Sequence, residues 1–109
     1  MKSDWQLLQE KLKERFQQEL DTDAIIFLIG LQELGKPFRK YKKDEKLEIM
    51  HVAICTLLEP YGFYHYEGKD ADGWPHWTLK EEIPHLEAKH QHRLMVEAIV
   101  DYFKREAFI

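Results

Sequence analysis

The sequence predicts an α+β fold of four helices with one β-hairpin between the third and the fourth, and three observations predict it. Residues 24–35 are apolar on every side, as a helix buried all round should be. Three further stretches repeat apolar residues at helical spacing. Residues 61–80 are instead rich in aromatics and interrupted by a Gly/Asp turn, which reads as a hairpin. The 109 residues read as one domain. A chain of this length buries about 65% of the surface its unfolded form exposes, so it needs neither disulfide nor metal to fold.

In chain order, Ser3 and Gln6 form a capping box at the start of the first helix. Trp5, Leu8, Leu12, Phe16 and Leu20 then make one apolar stripe of about five turns, with Lys11, Lys13, Glu14 and Arg15 on the sides and back. Asp21, Thr22 and Asp23 cap the second helix, which Gly35 and Pro37 stop. Within it, Gly30 marks a point where a neighbouring helix comes close, and Gln32 and Glu33 reach water. The third helix is expected over 44–59. Its main stripe is Leu47, Met50, Ile54, Leu57 and Leu58, widened by Ile49, Val52 and Ala53. Pro60 and Gly62 end it. Residues 61–67 suit a strand, 68–73 a turn and 74–80 the return strand, with Pro75 marking an edge. Pro84 is placed as the first residue of the last helix, which runs to about Arg105. Its apolar side is Ala88, His92, Met95, Ile99, Tyr102 and Phe103, with His92 a hydrogen-bonded residue at the edge of the core. His90 and His92 point about 200° apart on a helix and cannot share an ion.

Charge and cysteine usage narrow the function classes. A formal charge of −4 argues against nucleic-acid or anionic-membrane binding over the whole surface. The first helix is too charged for a signal peptide, and the second is shorter than the ~20 apolar residues a membrane span needs. One cysteine allows no internal disulfide and fits a reducing, cytoplasmic setting. No G-x-S-x-G elbow, phosphate loop or zinc-protease motif is present, so no catalytic residue is assigned. We assign no cofactor and no metal either. The nearest alternatives are His51 with Cys55, four apart on one helical face, and His65 facing His76 across the hairpin. His51 beside Cys55 also raises an activated thiolate. The stretch from Asp70 to Gly73 fails the spacing of an EF-hand calcium loop, because Gly68 and Leu79 stand where acidic ligands are needed.

Two stretches carry the binding signals. Between positions 61 and 77 lie Tyr61, Phe63, Tyr64, Tyr66, Trp74 and Trp77. A hairpin has two faces and the helices can cover only one well, so Tyr64, Tyr66, Trp74 and Trp77 are the candidate partner-binding residues. The assumed register places Glu67 opposite Trp74, His65 opposite His76 and Tyr64 opposite Trp77. The connector 36–46 has six basic residues in eleven, interleaved with Phe38 and Tyr41. Lys36, Arg39, Lys40, Lys42 and Lys43 are therefore candidate anion-binding residues ahead of a helix N-terminus.

The segments FLIGLQELGK (27–36), KKDEK (42–46) and DGWPHW (72–77) resemble a family of small, uncharacterised bacterial proteins. That resemblance covers most of the chain and implies an independent small protein, with no activity to carry over. The order helix, helix, helix, hairpin, helix also resembles the winged helix-turn-helix proteins, and the run 56–79 is similar to theirs. This implies a third helix in the DNA major groove, a hairpin as wing and a last helix that pairs subunits. Against it, the third helix carries Asp44, Glu45, Glu48 and Glu59 with Lys46 as its one basic residue, and the hairpin tip sets Asp70 and Asp72 against Lys69. DNA phosphates repel both. The expectation is a non-enzymatic intracellular protein that binds a protein partner or a second copy of itself. Nucleic-acid association through the basic connector is the alternative, and metal binding at His65/His76 or His51/Cys55 the second.

Overall fold

A computed structural model describes residues 1–82 and 85–109. Four helices, one 3-10 turn and a two-stranded antiparallel hairpin between the third and fourth helices give the α+β class expected. The chain forms two compact units, one of residues Met1–Ile25 and Leu86–Ile109 and the other of Ile26–His85. No helix among the described residues is long and apolar enough to cross a membrane.

In the first unit, α1 spans Asp4–Phe16. Ser3 Oγ accepts from the Gln6 amide and Gln6 Oε1 accepts from the Ser3 amide, the reciprocal box expected. The helix is shorter than the stripe through Leu20 implies. Gln17 turns left-handed (φ 59°) and its side chain donates to the Glu14 carbonyl, so local hydrogen bonding ends the helix a turn early. Leu8 and Leu12 are its buried residues. The last helix, α4, spans Ala88–Arg105 and packs Ala98, Ile99, Tyr102 and Phe103 inward. Its start is later than expected, with Glu87 as N-cap, and Pro84 lies outside the described residues. Ala88 and His92 are exposed, so the apolar side begins only near Met95 and His92 is no core-edge residue. Lys104 pairs with Asp4 at 2.7 Å, tying α4 to α1. Past Arg105 the chain turns back at Ala107 (φ 58°), where Phe108 N–H donates to the Phe103 carbonyl and the two rings meet at 5.3 Å. Lys11 Nζ completes this end by donating to the Phe108 carbonyl.

The second helix, α2, spans Thr22–Leu34, and its first turn belongs to the first unit. Asp21 Oδ1 accepts from the Ala24 amide as N-cap. At the other end Gly35 (φ 64°) allows Lys36 N–H to reach the Leu31 carbonyl and Gly35 N–H the Gln32 carbonyl, a Schellman stop. No residue of 24–31 is exposed, whereas Gln32 and Glu33 face water. The reading of a helix buried all round therefore holds.

In the second unit, α3 spans Lys43–Leu58. Its buried face is Ile49, Val52, Ala53, Cys55, Leu57 and Leu58, and Leu47 stands 63% exposed. This corrects the expected stripe, in which Leu47 led. The reason is Gly30. A Cβ there would fall on the Ile49 carbonyl and within 2.7 Å of Ile49 Cγ2, so α3 turns Ile49 toward α2 and Leu47 away from it. Leu31, Tyr41 and Ile49 form a small core with Phe27, Leu28 and Leu34 packed on it. A 3-10 turn, η1 (Glu59–Tyr61), continues from α3 through Pro60 into the hairpin.

Gly30→Ala puts a methyl group onto backbone, which cannot yield as a side-chain tip can. It is expected to cost about 3 kcal/mol or more, read as a lowered midpoint in urea unfolding. An unchanged midpoint would show that α2 and α3 have room to separate.

Candidate functional site

The hairpin is built around Asp70. Strand β1 (Tyr64–Lys69) pairs antiparallel with β2 (Pro75–Leu79), and residues 70–74 close the loop. Asp70 Oδ1 accepts from the amides of Asp72 (2.9 Å) and Trp74 (3.0 Å), while Oδ2 lies 2.8 Å from His76 Nε2. The Asp70 amide donates to the Trp74 carbonyl, and its carbonyl accepts from Gly73. One carboxylate thus folds the tip and holds a side chain of the return strand. The His76 hydrogen bond, followed by that of the Trp74 amide, holds the Asp70 carboxyl below the usual carboxylate range. The residue rejected as a calcium ligand is the keystone of the turn, and the Asp-x-Asp-Gly spacing carried that signal in the form of an Asx turn.

The register differs from the one assumed. Tyr64 faces Leu79, His65 faces Thr78, Tyr66 faces Trp77, Gly68 faces His76 and Lys69 faces Pro75. Glu67 is the extra residue of a bulge between Tyr66 and Gly68. Gly68, at φ 98°, takes the backbone conformation that lets the strand resume past it. His65 and His76 are therefore not opposite one another, and His76 is engaged by Asp70 instead. Glu67 Oε1 accepts from Thr78 Oγ1 at 2.9 Å and lies 4.0 Å from His65 Nε2. Among the described residues no three His, Cys, Asp or Glu side chains are grouped to hold a metal.

The register sorts the side chains by face. His65, His76 and Thr78 share the polar, exposed face. Tyr64, Tyr66, Trp77, Leu79 and Pro75 share the other. On this second face Pro75 is buried and Tyr64 and Trp77 are half-buried. Tyr64 stands edge-on to His51 of α3 at 6.4 Å. Burial raises the Tyr64 hydroxyl pKa. Tyr66 and Trp77 meet across the strands, centroids 5.3 Å apart and planes tilted by 56°, with Tyr66 42% and Leu79 52% exposed. The two rings wall a groove of about 360 Å³ that also draws on Pro75, Lys69, Thr56 and Glu59. Trp74, the fourth predicted partner-binding residue, lies beyond this groove. It joins Leu47, Glu48, His51, Asp70 and Asp72 around a separate open depression. In the first unit a further depression is lined by Gln6, Gln9, Glu10 and Lys13 of α1 with Lys2, Glu19 and Leu20 from beyond its ends, and both lysines are tied in the Lys2–Glu10 and Lys13–Glu19 pairs.

The basic connector is partly anchored. Tyr41 is buried, donates its hydroxyl to the Pro37 carbonyl at 2.6 Å and meets Phe27 edge-on at 5.9 Å. The Arg39 guanidinium lies 4.0 Å over the Tyr41 ring and donates to the Lys40 carbonyl, so of the five basic candidates it is committed to packing. Lys40, Lys42 and Lys43 are exposed, and Lys36 is half-buried. Phe38 does not pin the loop to the core as Tyr41 does; it is 60% exposed. The α3 N-terminus behind these lysines is capped by its own Glu45, whose Oε1 accepts from the Lys42 amide.

His51 and Cys55 share a face as their spacing predicts, with Sγ 3.5 Å from Nε2. The thiol is fully buried, and burial pushes its pKa up to about 11. This is the opposite of an activated thiolate, which needs an accessible thiol with a lowered pKa. Native protein should react with an aromatic disulfide reagent at least 100-fold more slowly than the urea-unfolded chain, as followed by absorbance. Equal rates would mean that Cys55 is accessible.

Asp70→Ala removes the acceptor for three donors. The Asp72 and Trp74 amides should then lose their protection from hydrogen exchange at neutral pH, while the helical circular dichroism stays intact. The same protection in wild type should be complete above the ordinary carboxylate pKa of about 3.9. It should fade as the pH falls through the lower folded value, since the folded pKa lies below the unfolded one. Exchange unchanged by substitution or acid would deny Asp70 this role.

Compared with the known protein families, the curated proteins and the solved structures, this chain matches none.

Proposed function

We propose that this protein is a non-enzymatic interaction module whose aromatic hairpin face binds a protein partner or a second copy of the chain. One observation carries the reading. The Tyr66–Trp77 pair lines a groove together with the buried Pro75, and Tyr66 and Leu79 remain largely exposed on the same face. Aromatic rings held in one conformation bring large contact area at small entropic cost, which makes them frequent anchors of interfaces. The neighbouring chemistry supports binding rather than catalysis. The one thiol is buried and protonated, and the histidine nearest a carboxylate is spent on the turn. A cytoplasmic setting fits a chain with a free, buried cysteine.

Nucleic-acid association through the connector is the weaker reading. Arg39 is stacked on Tyr41, and Asp44 and Glu45 follow the lysines directly.

The test replaces Tyr66 and Leu79 with serine, both of which already face water, so that the fold is retained. Wild type and the double variant are each used as crosslinking bait in the native host. A partner held by wild type and lost with the variant, at a cost of about 2 kcal/mol or more in affinity for the purified pair, is the expected outcome. Equal capture by both baits would remove the hairpin face from the interaction.

A further inference from the structure

The groove at the Tyr66–Trp77 pair leaves several polar groups unpaired, and their chemistry restricts what can fill it. Thr56, on the α3 side, is engaged already, because its Oγ1 donates to the Val52 carbonyl. Glu33, at the end of α2, also has a partner within the chain. The Tyr66 hydroxyl and the Trp77 indole N–H make no hydrogen bond among the described residues. No buried side-chain nitrogen or oxygen among those residues lacks a partner, so the indole N–H of half-buried Trp77 is open to water. Lys69 of β1 and Glu59 of η1 both line the groove, both are exposed, and neither is in an ion pair among the described residues. Three donors (hydroxyl, indole N–H and ammonium) and one carboxylate therefore surround apolar ground made by two rings and Pro75.

We propose that this groove takes a proline-rich segment of another protein, its pyrrolidine rings on Tyr66 and Trp77 and a basic side chain against Glu59. The inference rests on the hairpin face being the binding surface, as proposed above, and names the partner's chemistry. A complementary ligand brings an apolar body, carbonyl oxygens free to accept, few N–H groups and one cation. An extended proline-rich chain meets the first three conditions, since proline has no N–H and the polyproline helix makes no internal hydrogen bonds. A helical ligand would arrive with its carbonyls already engaged. Proline also fixes the bound backbone beforehand, so a small aromatic groove can hold it at little entropic cost. The cation answers the unpaired Glu59, and the net charge of −4 favours approach of a basic segment. A second copy of this chain does not qualify: its prolines, at 37, 60, 75 and 84, are scattered singly.

The experiment titrates the isotope-labelled full chain with three synthetic peptides of equal length and follows the Trp77 indole N–H by nuclear magnetic resonance. The peptides are an oligoproline carrying one arginine, the same with glutamine for arginine, and a glycine–serine chain carrying the arginine. Trp5→Phe and Trp74→Phe variants assign the indole signals. The arginine oligoproline should shift the Trp77 signal saturably. The glycine–serine peptide should bind at least about tenfold more weakly, and the glutamine oligoproline about threefold more weakly. In Glu59→Gln the two oligoprolines should bind alike, and Tyr66→Ser should weaken both at least about tenfold. Both positions are exposed, and circular dichroism checks that both variants fold. No shift at millimolar oligoproline would overturn the proposal, as would equal affinity for the glycine–serine peptide or binding indifferent to Tyr66→Ser. Equal affinity of wild type for the two oligoprolines would remove Glu59 from it. Should the oligoproline fail while the crosslinked partner is still lost with Tyr66 and Leu79 changed to serine, only the partner's class is wrong. Failure of both would remove the hairpin face as well.

Discussion

The unit from Ile26 to His85 depends on one close approach, the meeting of α2 and α3 at Gly30 and Ile49. With no side chain at Gly30, the Ile49 backbone lies where a Cβ would otherwise stand, and α3 is fixed in rotation as well as in distance. Ile49, Val52 and Ala53 then point inward and Leu47 outward. Covering a leucine is worth about 2 kcal/mol, so exposing Leu47 is a real cost. It is offset because one rotation places six other α3 residues in the core. The same rotation brings His51 to Tyr64 and sets the hairpin's aromatic face against α3.

Helix ends were legible in the sequence wherever their chemistry is local. Ser3 with Gln6, Asp21, and Gly35 all cap as their residue types imply, because a cap needs only neighbours within a turn. The face of α3 was legible in part: Ile49, Val52, Ala53, Leu57 and Leu58 are buried as expected, but Leu47 is exposed and Cys55 is buried. Its apolar arc is wide, so periodicity left the edge of the buried side undecided and the contact from α2 chose Ile49 over Leu47. The end at Gln17 was missed because neither glycine nor asparagine marks the left-handed residue, whereas α4 ends at Arg105 as expected. At Ala107 the closing contacts of Phe108 with Phe103 offset the strained backbone, and those contacts are visible only in three dimensions.

The site was partly legible too. Aromatic density correctly located a hairpin, and its turn fell near the Gly/Asp segment. Register failed because β1 runs on to Lys69 and the loop is 70–74, not 68–73, which puts the pairing beside the turn three places from the assumed one; the bulge at Glu67 changes that offset by only one. With aromatics on both strands, no simple alternation could reveal the slip. The basic connector looked uniform in sequence, yet the fold divides it: Tyr41 and Arg39 go to packing, and Phe38 with its lysines goes to the surface.

The packing role of the hairpin constrains the binding role proposed for it. A two-stranded ribbon is marginal by itself, so this one needs its aromatic face against the helices as well as Asp70 at its tip. Pro75, Tyr64 and Trp77 serve that contact, being buried or half-buried. A substitution at any of them changes the presentation of the surface together with the surface itself, and its effect on binding would be ambiguous. Tyr66 and Leu79 are on the same face but largely in water, where serine leaves the helix contact in place. The proposed binding surface can therefore be altered without altering the fold only at the outer row of the face.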